Sequence, residues 1–453
     1  MKKFNTRIIS VSIAFLSILN FSANADEIDD FLLKKMQDKK IPGLQVAIIK
    51  NNKIIKTANY GIANIQDNIA VTDNTVFTIN SMTKSFVGVA IMQLVEKGKL
   101  ALSDKVSSYI SDLPDAWLGI TIKQLLTNTS GLPKIELGTS LISPKGAEAS
   151  WGLVKTLPLA AKANTQFQYT STNYVLLGKI ITQVSGKSFT DFITQNQLIK
   201  VGMKRTESAG FTHFQGVIPH QARGYTYFGN ELTTIQYEFP PFLRAAAGMN
   251  SNVKEMAQWA VALQGGQLLS EPSSLKQLWS PAVLDNGKTE GFDRLLNGYA
   301  LGWQVIDRVE HPAVTSVGGD RSALVIYPED DLSIIVLTNL MGASPQSFID
   351  EIAEFYIADM AVINGIAVTE GTLKNYVGHY KFSEFSIEVM LKDNRLSFLA
   401  SGEGQEPFIL YAKSDTHFFA KVVDLQASFK HNDATSSLVI HQGGKNYLGT
   451  KER

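Results

Sequence analysis

The spacing of apolar residues divides this chain into a strand-rich beginning, a helical middle and a strand-rich end. β-rich apolar runs at residues 44–49 and 54–58 flank an Asn-Asn pair, and runs at 323–327 and 332–337 flank a polar Pro-Glu-Asp-Asp turn. Two such runs separated by turn-forming residues predict a β-hairpin. The sequence therefore predicts an early hairpin and a late one.

Between the two hairpins the apolar residues recur at helical intervals. Residues 85–100 are apolar on most faces, which predicts a helix inside the protein, and a second helix is predicted at 174–184. A third stretch carries an apolar stripe at Val253, Met256, Ala257, Ala260 and Leu263. Strands at both ends with helices between them predict an α+β fold, in which an antiparallel sheet flanked by terminal helices carries an inserted all-helical subdomain. A site would lie in the cleft between sheet and subdomain.

From about residue 376 the pattern changes to short alternating runs. These runs recur about every ten residues, at 386–391, 395–399, 408–411, 417–419 and 437–440. Short strands at such a spacing predict an all-β barrel or sandwich. We therefore expect two domains, at residues 26–365 and 370–453, which agrees with a length of 453 residues.

The N-terminal segment is a separate unit. Basic residues precede a mostly apolar run at residues 8–21, and an Ala-Asn-Ala cleavage site ends at Ala25. These features predict a secretory signal peptide, residues 1–25, and a periplasmic or secreted protein. An uncleaved anchor is the alternative, but the run is shorter than the about 20 residues that a spanning helix needs. We therefore expect no stable membrane span after cleavage.

Composition narrows the possible partners and cofactors. Basic and acidic residues both number 42, so the net charge is zero, and no basic run indicates nucleic acid as a partner. The chain has no cysteine, which excludes disulfides, thiol nucleophiles and thiolate metal sites. Its seven histidines show no paired ligand spacing, so we predict neither a metal nor another cofactor.

The strongest candidate for chemistry is Ser81, which is followed three residues later by Lys84. This pair stands between a strand-like run and the predicted buried helix, and residues three apart share one helical face. Backbone N–H groups at a helix start are unpaired and the helix dipole is positive there. One turn would therefore hold a nucleophile, a base and part of an oxyanion hole. Because burial disfavours a charged amine, Lys84 would be a usable base.

The Ser-x-x-Lys spacing is a weak signal by itself. It recurs at Ser251 with Lys254 and at Ser273 with Lys276, where nothing indicates chemistry. The alternative at each position is a helix cap followed by a solvent-facing lysine. The buried helix that follows Ser81 distinguishes it from the other two.

A serine hydrolase also needs a second proton-handling group and a second oxyanion donor. Tyr169 and the hydroxyl of Ser171 stand in a polar loop before a predicted helix. Gly318 and Gly319 lead into a late strand, where glycine lets backbone and substrate approach closely. The alternatives are an ordinary half-buried tyrosine and a plain turn.

Four segments in a fixed order resemble the serine β-lactamase and penicillin-binding-protein superfamily, namely residues 77–84, 120–133, 169–178 and 318–339. The resemblance covers about residues 28–362, and the similar branch contains class C β-lactamases, DD-carboxypeptidases, D-aminopeptidases and related esterases. It implies that Ser81 is acylated, that Lys84 takes or relays its proton, and that Tyr169 is general base and acid. It also implies an oxyanion hole made by the N–H groups of Ser81 and Gly319, and a lipocalin-like C-terminal domain.

Two motifs depart from the pattern of this family. Ser171 stands where asparagine is common, and Ser316 and Val317 stand where a lysine or histidine and then a serine or threonine are usual. The site that would hold a substrate carboxylate thus lacks its cation, so peptide and β-lactam carboxylates should bind worse. Arg321, close by in the sequence, is the candidate that would compensate.

Two functions remain open at this point. The first is a secreted serine hydrolase that forms an acyl-enzyme on a small ester, amide or peptide, with esters favoured. The second is a weakly active or non-catalytic penicillin-binding-like protein that recognises cell-wall fragments or a partner. Intact Ser81, Lys84 and Tyr169 favour the first, and Ser316 with Val317 favours the second.

Overall fold

The computed structural model describes residues 14–452 except for 136–141, 144, 212–216, 236–239, 294, 309, 358–359, 361–364, 402–406, 421–424, 433–434 and 443–444. Residues 1–13 of the predicted signal peptide lie outside the described residues. Helix α1 (Ala14–Lys39) runs through the predicted cleavage point after Ala25. Within the described part of the chain, no helix has the length and apolar character needed to cross a membrane.

The strands before the C-terminal part are β1 (Gly43–Lys50), β2 (Lys53–Asn64), β3 (Ile69–Ala70), β4 (Phe77–Asn80), β5 (Tyr225–Phe228), β6 (Glu231–Thr234), β7 (Met249–Ser251), β8 (Gly298–Tyr299), β9 (Gln304–Ile306), β10 (Ala313–Gly318), β11 (Ser322–Tyr327), β12 (Leu332–Thr338) and β13 (Leu340–Met341). The described α-helices that follow α1 are α2 (Thr83–Glu96), α3 (Ile122–Leu126), α4 (Ala147–Lys155), α5 (Ser171–Ser185), α6 (Phe189–Ile193), α7 (Ile199–Val201), α8 (Lys204–Ala209), α9 (Arg244–Ala247), α10 (Val253–Gln264), α11 (Pro272–Trp279) and α12 (Ile349–Ala353).

The main sheet joins strands from both ends of this part of the chain. Its eight strands are arranged β3-β2-β1-β12-β11-β10-β9-β8, and the early hairpin β1–β2 meets the late hairpin β11–β12 in the middle. β1 and β12 pair antiparallel, with Leu44 opposite Thr338 and Lys50 opposite Leu332. The predicted α+β fold, with one antiparallel sheet built from both hairpins, is therefore confirmed.

The sheet is buried on both faces by two hydrophobic clusters. One strand contributes to both clusters because its successive side chains point to opposite sides. On β1, Leu44, Val46 and Ile48 join a cluster with α1 and α12, whereas Ala47 and Ile49 join a larger cluster with α2, α5 and α10. The larger cluster fixes the helical region against the sheet and leaves the start of α2 beside the end of β10.

Helix α2 begins two residues before the predicted run and ends at Glu96. Ser81 therefore lies in the turn between β4 and α2, not in the first turn of the helix as the sequence pattern predicted. The Lys84 N–H donates to the Ser81 carbonyl at 3.0 Å, so the two residues are still one turn apart.

The C-terminal part forms a closed barrel of antiparallel strands, which confirms the predicted all-β barrel. After helix α13 (Glu370–Tyr376) its strands are β14 (Gly378–Lys381), β15 (Ser386–Lys392), β16 (Arg395–Ala400), β17 (Phe408–Ala412), β18 (His417–Ala420), β19 (Gln426–Asn432), β20 (Thr435–Gln442) and β21 (Lys445–Lys451). The barrel closes where β14 pairs with β21, and the Tyr376 ring of α13 stacks on Phe429 at 4.4 Å. Aromatic packing of this kind is typical of a filled barrel.

Candidate active site

Ser81 and Lys84 are brought into direct contact at the start of α2. The Lys84 Nζ donates a hydrogen bond to the Ser81 Oγ at 3.2 Å, and a second one to the Ala246 carbonyl of α9 at 2.8 Å. Lys84 is only 1% exposed, whereas Ser81 is partly exposed. The nucleophile candidate thus faces solvent while its amine partner is enclosed.

Two phenol rings flank the buried amine. The Lys84 Nζ lies 4.6 Å from the ring centroid of Tyr169 and 5.1 Å from that of Tyr174. The Ser81 hydroxyl and the Ala246 carbonyl fix the direction of the amine between these two rings. The structure therefore aims the amine at the serine oxygen.

The other two Ser-x-x-Lys pairs lack this arrangement. Ser251 is fully buried and its Oγ shares a hydrogen bond with the Thr206 Oγ1 at 2.7 Å, while Lys254 is exposed. Ser273 and Lys276 are both exposed on α11. Burial of the lysine beside an accessible serine separates the first pair from its two copies.

Asn128 holds both neighbours of Tyr169 in the chain. Its carbonyl accepts from the Gln168 N–H at 2.8 Å, and its Oδ1 accepts from the Thr170 N–H at 3.2 Å and the Asn173 Nδ2 at 2.9 Å. Asn128 is fully buried with φ +55°, a left-handed conformation that asparagine tolerates better than most residues. The loop that carries Tyr169 is thereby fixed on both sides of the phenol.

Ser171 begins helix α5 and is 8% exposed. Its position follows from Thr170, whose Oγ1 caps the helix by accepting from the Thr172 N–H. Burial is the main cause that raises the pKa of Tyr174 and of Tyr299 well above the usual range, so both stay neutral phenols. Tyr169, unlike Tyr174 and Tyr299, is not fully buried.

Gly318 and Gly319 bring the end of β10 against the residues just before Ser81. A Cβ on Gly318 would collide with the Ile79 carbonyl, and a Cβ on Gly319 would lie 2.6 Å from the Asn80 Nδ2. Gly319 has φ +56°, a conformation that favours glycine. Among the described residues, neither the Ser81 nor the Gly319 N–H donates a hydrogen bond, so both donors are available to a ligand.

The departure from the family pattern at Ser316 is visible as a contact between two neutral hydroxyl groups. Ser316 is 4% exposed, and its Oγ shares a short hydrogen bond with the Oγ of Ser85, the residue after Lys84 on α2. Arg321 is 5% exposed, and its guanidinium lies against Gly224. The structure therefore places a buried neutral hydroxyl at position 316, in contact with the helix that carries Lys84.

An aromatic cluster beside Tyr169 was not recognised from the sequence. The ring centroid of Phe292 lies 4.9 Å from that of Tyr169 and 5.3 Å from that of Phe167. The buried ring of Tyr299 completes the cluster, with its centroid 6.1 Å from that of Tyr169. Phe292 stands alone in a polar loop, so no periodic pattern marked it. Within the described residues no group of His, Asp or Glu is arranged to hold a metal ion.

Comparison with known proteins shows which family the chain belongs to. The family model described as Beta-lactamase matches residues 28–358. Protein flp of Staphylococcus aureus (strain NCTC 8325 / PS 47) is 30% identical over 322 residues, which are 69% of this chain but only 63% of that protein. Penicillin-binding protein 4* of Bacillus subtilis (strain 168) is 24% identical over 435 residues, covering 88% of this chain and 92% of that protein.

The fold is also found among solved structures. The octameric penicillin-binding protein homologue from Pyrococcus abyssi superposes with a TM-score of 0.65 at 22% identity, covering 94% of this chain and 99% of that one. At this identity the match concerns the fold, including the C-terminal part. The family match over most of the chain shows that this protein is a member of the beta-lactamase family, the hydrolase family that also contains the penicillin-binding-protein homologues.

Proposed function

We propose that this chain is a secreted serine hydrolase of the class C-like branch that forms an acyl-enzyme on Ser81 and acts on small esters or amides. The observation that carries the proposal is the contact between the enclosed Lys84 Nζ and the accessible Ser81 Oγ at 3.2 Å. A serine next to a base within hydrogen-bonding distance is the arrangement that nucleophilic catalysis requires.

The proposed proton path uses the two groups next to the Ser81 hydroxyl. As the Ser81 Oγ attacks the carbonyl carbon, its proton passes to the neutral amine of Lys84, whose Nζ lies 4.6 Å from the ring centroid of Tyr169. The oxygen of the tetrahedral intermediate accepts from the N–H groups of Ser81 and Gly319. As the leaving group departs, the Tyr169 hydroxyl gives it a proton and takes back the proton held by Lys84, and the same groups activate water for hydrolysis of the acyl-enzyme.

The neutral side chain at position 316 favours neutral substrates. Ser316 is bound to Ser85 and carries no charge, so a substrate carboxylate gains no ion pair there. Esters also have better leaving groups than amides, which asks less of the general acid. We therefore propose a preference for neutral esters over peptide and β-lactam carboxylates, with Arg321 as the residue that would compensate if anions are accepted.

The uncharged pair Ser316 and Val317 also supports a second candidate function. A protein that has lost the substrate-anchoring cation could retain the groove for recognising cell-wall fragments or a partner, with little or no turnover. The two candidates differ in whether Ser81 becomes covalently acylated.

The proposal is tested by labelling and turnover on matched variants. A fluorophosphonate probe should modify Ser81, and hydrolysis of 4-nitrophenyl acetate should be lost in Ser81→Ala. Ser273→Ala, which alters an exposed Ser-x-x-Lys pair on α11, serves as the control and should behave as wild type. Equal turnover by wild type and Ser81→Ala, or labelling of another serine, would remove the hydrolase proposal and leave the binding function.

Export and domain division are part of the same proposal. The basic and apolar N-terminal segment supports cleavage after Ala25 and a periplasmic or secreted location. Separate hydrophobic clusters, one of them formed by the barrel and the residues just before it from Val368 onward, support domains at residues 26–365 and 370–453. N-terminal sequencing of the exported protein should begin at Asp26.

A further inference from the structure

An open groove with a volume of about 790 Å³ begins at Tyr169. Its walls include Phe167 and Phe292, and Lys134 and Glu290 also line it. Phe292 is 44% exposed, although its ring is in contact with three other aromatic rings. Covering such a ring with a flat apolar group removes apolar surface from water and adds an aromatic contact.

The two walls of the groove are tied together by hydrogen bonds. The Phe167 N–H donates to the Glu290 Oε2 at 2.9 Å, which links the loop before Tyr169 to the loop that carries Phe292. Further along, Asn164 and Asp285 exchange two hydrogen bonds, from the Asn164 Nδ2 at 2.7 Å and from the Asp285 N–H at 2.9 Å. The groove is thus formed before a substrate arrives, which lowers the entropic cost of binding.

The position of Tyr169 decides which part of a substrate would enter the groove. In the proposed mechanism Tyr169 delivers a proton to the leaving group, so the leaving group lies against the Tyr169 phenol. Tyr169 and Phe292 line the same groove, with their ring centroids 4.9 Å apart. A ring in this groove would therefore belong to the departing alcohol or amine, not to the acyl group held by Ser81.

We infer that the groove binds an aromatic ring on the leaving group of the substrate and that Phe292 sets this specificity. The inference rests on the proposed hydrolase function and narrows its substrate class to aryl-bearing alcohol esters and the corresponding amides. The exposed Phe292 ring supplies the contact surface, and the Phe167 ring supports it by packing against it at a centroid distance of 5.3 Å.

The test compares 3-phenylpropyl acetate with n-propyl acetate. Both substrates give the same acetyl-enzyme, so a difference in kcat/KM reports only on the leaving group during acylation. Wild type should prefer the phenyl substrate by about tenfold, as expected for one apolar aromatic contact. Phe292→Ala should reduce this ratio to near one, and Phe292→Trp should retain it.

The matched control is Phe228→Ala. Phe228 is 84% exposed on β5 and does not line the groove, so this variant should keep the wild-type ratio. A ratio near one in a wild-type protein whose Ser81 is labelled by fluorophosphonate would overturn the inference and leave the hydrolase function intact. Preference for methyl 4-phenylbutanoate over methyl butanoate, without preference among the acetates, would also overturn it, because the ring would then lie on the acyl side. Absence of Ser81 labelling would instead refute the proposed function.

Discussion

Replacing Gly319 with alanine tests the proposed oxyanion hole most directly. Gly319 has φ +56°, and a left-handed conformation costs an alanine about 1–2 kcal/mol. The new Cβ would also lie 2.6 Å from the Asn80 Nδ2, which is closer than carbon and nitrogen atoms approach without a shift. The backbone at position 319 must therefore move, and its N–H moves with it.

The expected result is a large loss of acylation with a small loss of stability. Removal of one oxyanion donor lowers kcat by about 10²- to 10³-fold, equivalent to about 3–4 kcal/mol of transition-state stabilisation. Gly98→Ala is the matched control, because Gly98 has φ +62° but nothing lies within 4 Å of its Cβ position. This control should show the conformational cost in urea unfolding and wild-type hydrolysis of 4-nitrophenyl acetate.

A second substitution separates strain from collision. Asn80 has φ +46°, so Asn80→Gly keeps the local backbone accessible while removing the amide that a new Cβ would meet. Combined with Gly319→Ala, it should restore part of the acylation rate. If the folded Gly319→Ala variant acylates Ser81 as fast as wild type, the Gly319 N–H is not an oxyanion donor and the reasoning is refuted.

Three further predictions concern the base, the phenol loop and a surface carboxylate. Lys84→Met keeps the volume but removes the amine, so kcat/KM should fall by about 10²- to 10⁴-fold while circular dichroism is unchanged; a smaller fall would refute its role as base. Asn128→Gly keeps the left-handed backbone but removes the Oδ1 acceptor beside Tyr169. The transition-state free energy lost, calculated from the fall in kcat, should therefore exceed the loss in free energy of unfolding; wild-type kcat would contradict the positioning role. Hydrogen bonds from the Tyr109 hydroxyl and the Ala101 N–H lower the pKa of Asp104 in the folded protein. The ionised carboxylate therefore stabilises the fold fully at pH values above about 4, the pKa of an unfolded aspartate, and this stabilisation is lost as the pH falls through the folded pKa. Asp104→Asn should therefore be less stable than wild type at pH 7, with a difference in urea midpoint that closes in acid; a difference independent of pH would refute this.

Elements defined by local pattern were predictable from the sequence. The apolar run after Lys84 became the buried helix α2, the two hairpins formed where turn residues separated β-rich runs, and Val253–Gln264 became α10.

The candidate site was only partly accessible to the same reasoning. Ser81 and Lys84 were predicted as neighbours because three residues make nearly one helical turn, which is a local property of the backbone. Three copies of that spacing exist, and the apolar run after Ser81 already favoured the first. Packing then encloses Lys84 beside an accessible Ser81, while Lys254 and Lys276 remain in solvent. The sequence resemblance ordered the motifs without giving a distance between them.

By itself, then, the sequence determined the periodicity of each element, the one-turn spacing of Ser81 and Lys84, and the absence of a cation at position 316. The tertiary structure decided that β1 pairs with β12, that Asn128 fixes the loop of Tyr169, and that Phe292 stands beside that phenol. The physical reason is that periodicity depends on a few adjacent backbone dihedrals and side chains, whereas these contacts join residues far apart in the chain. Their formation depends on how two core clusters pack on opposite faces of one sheet.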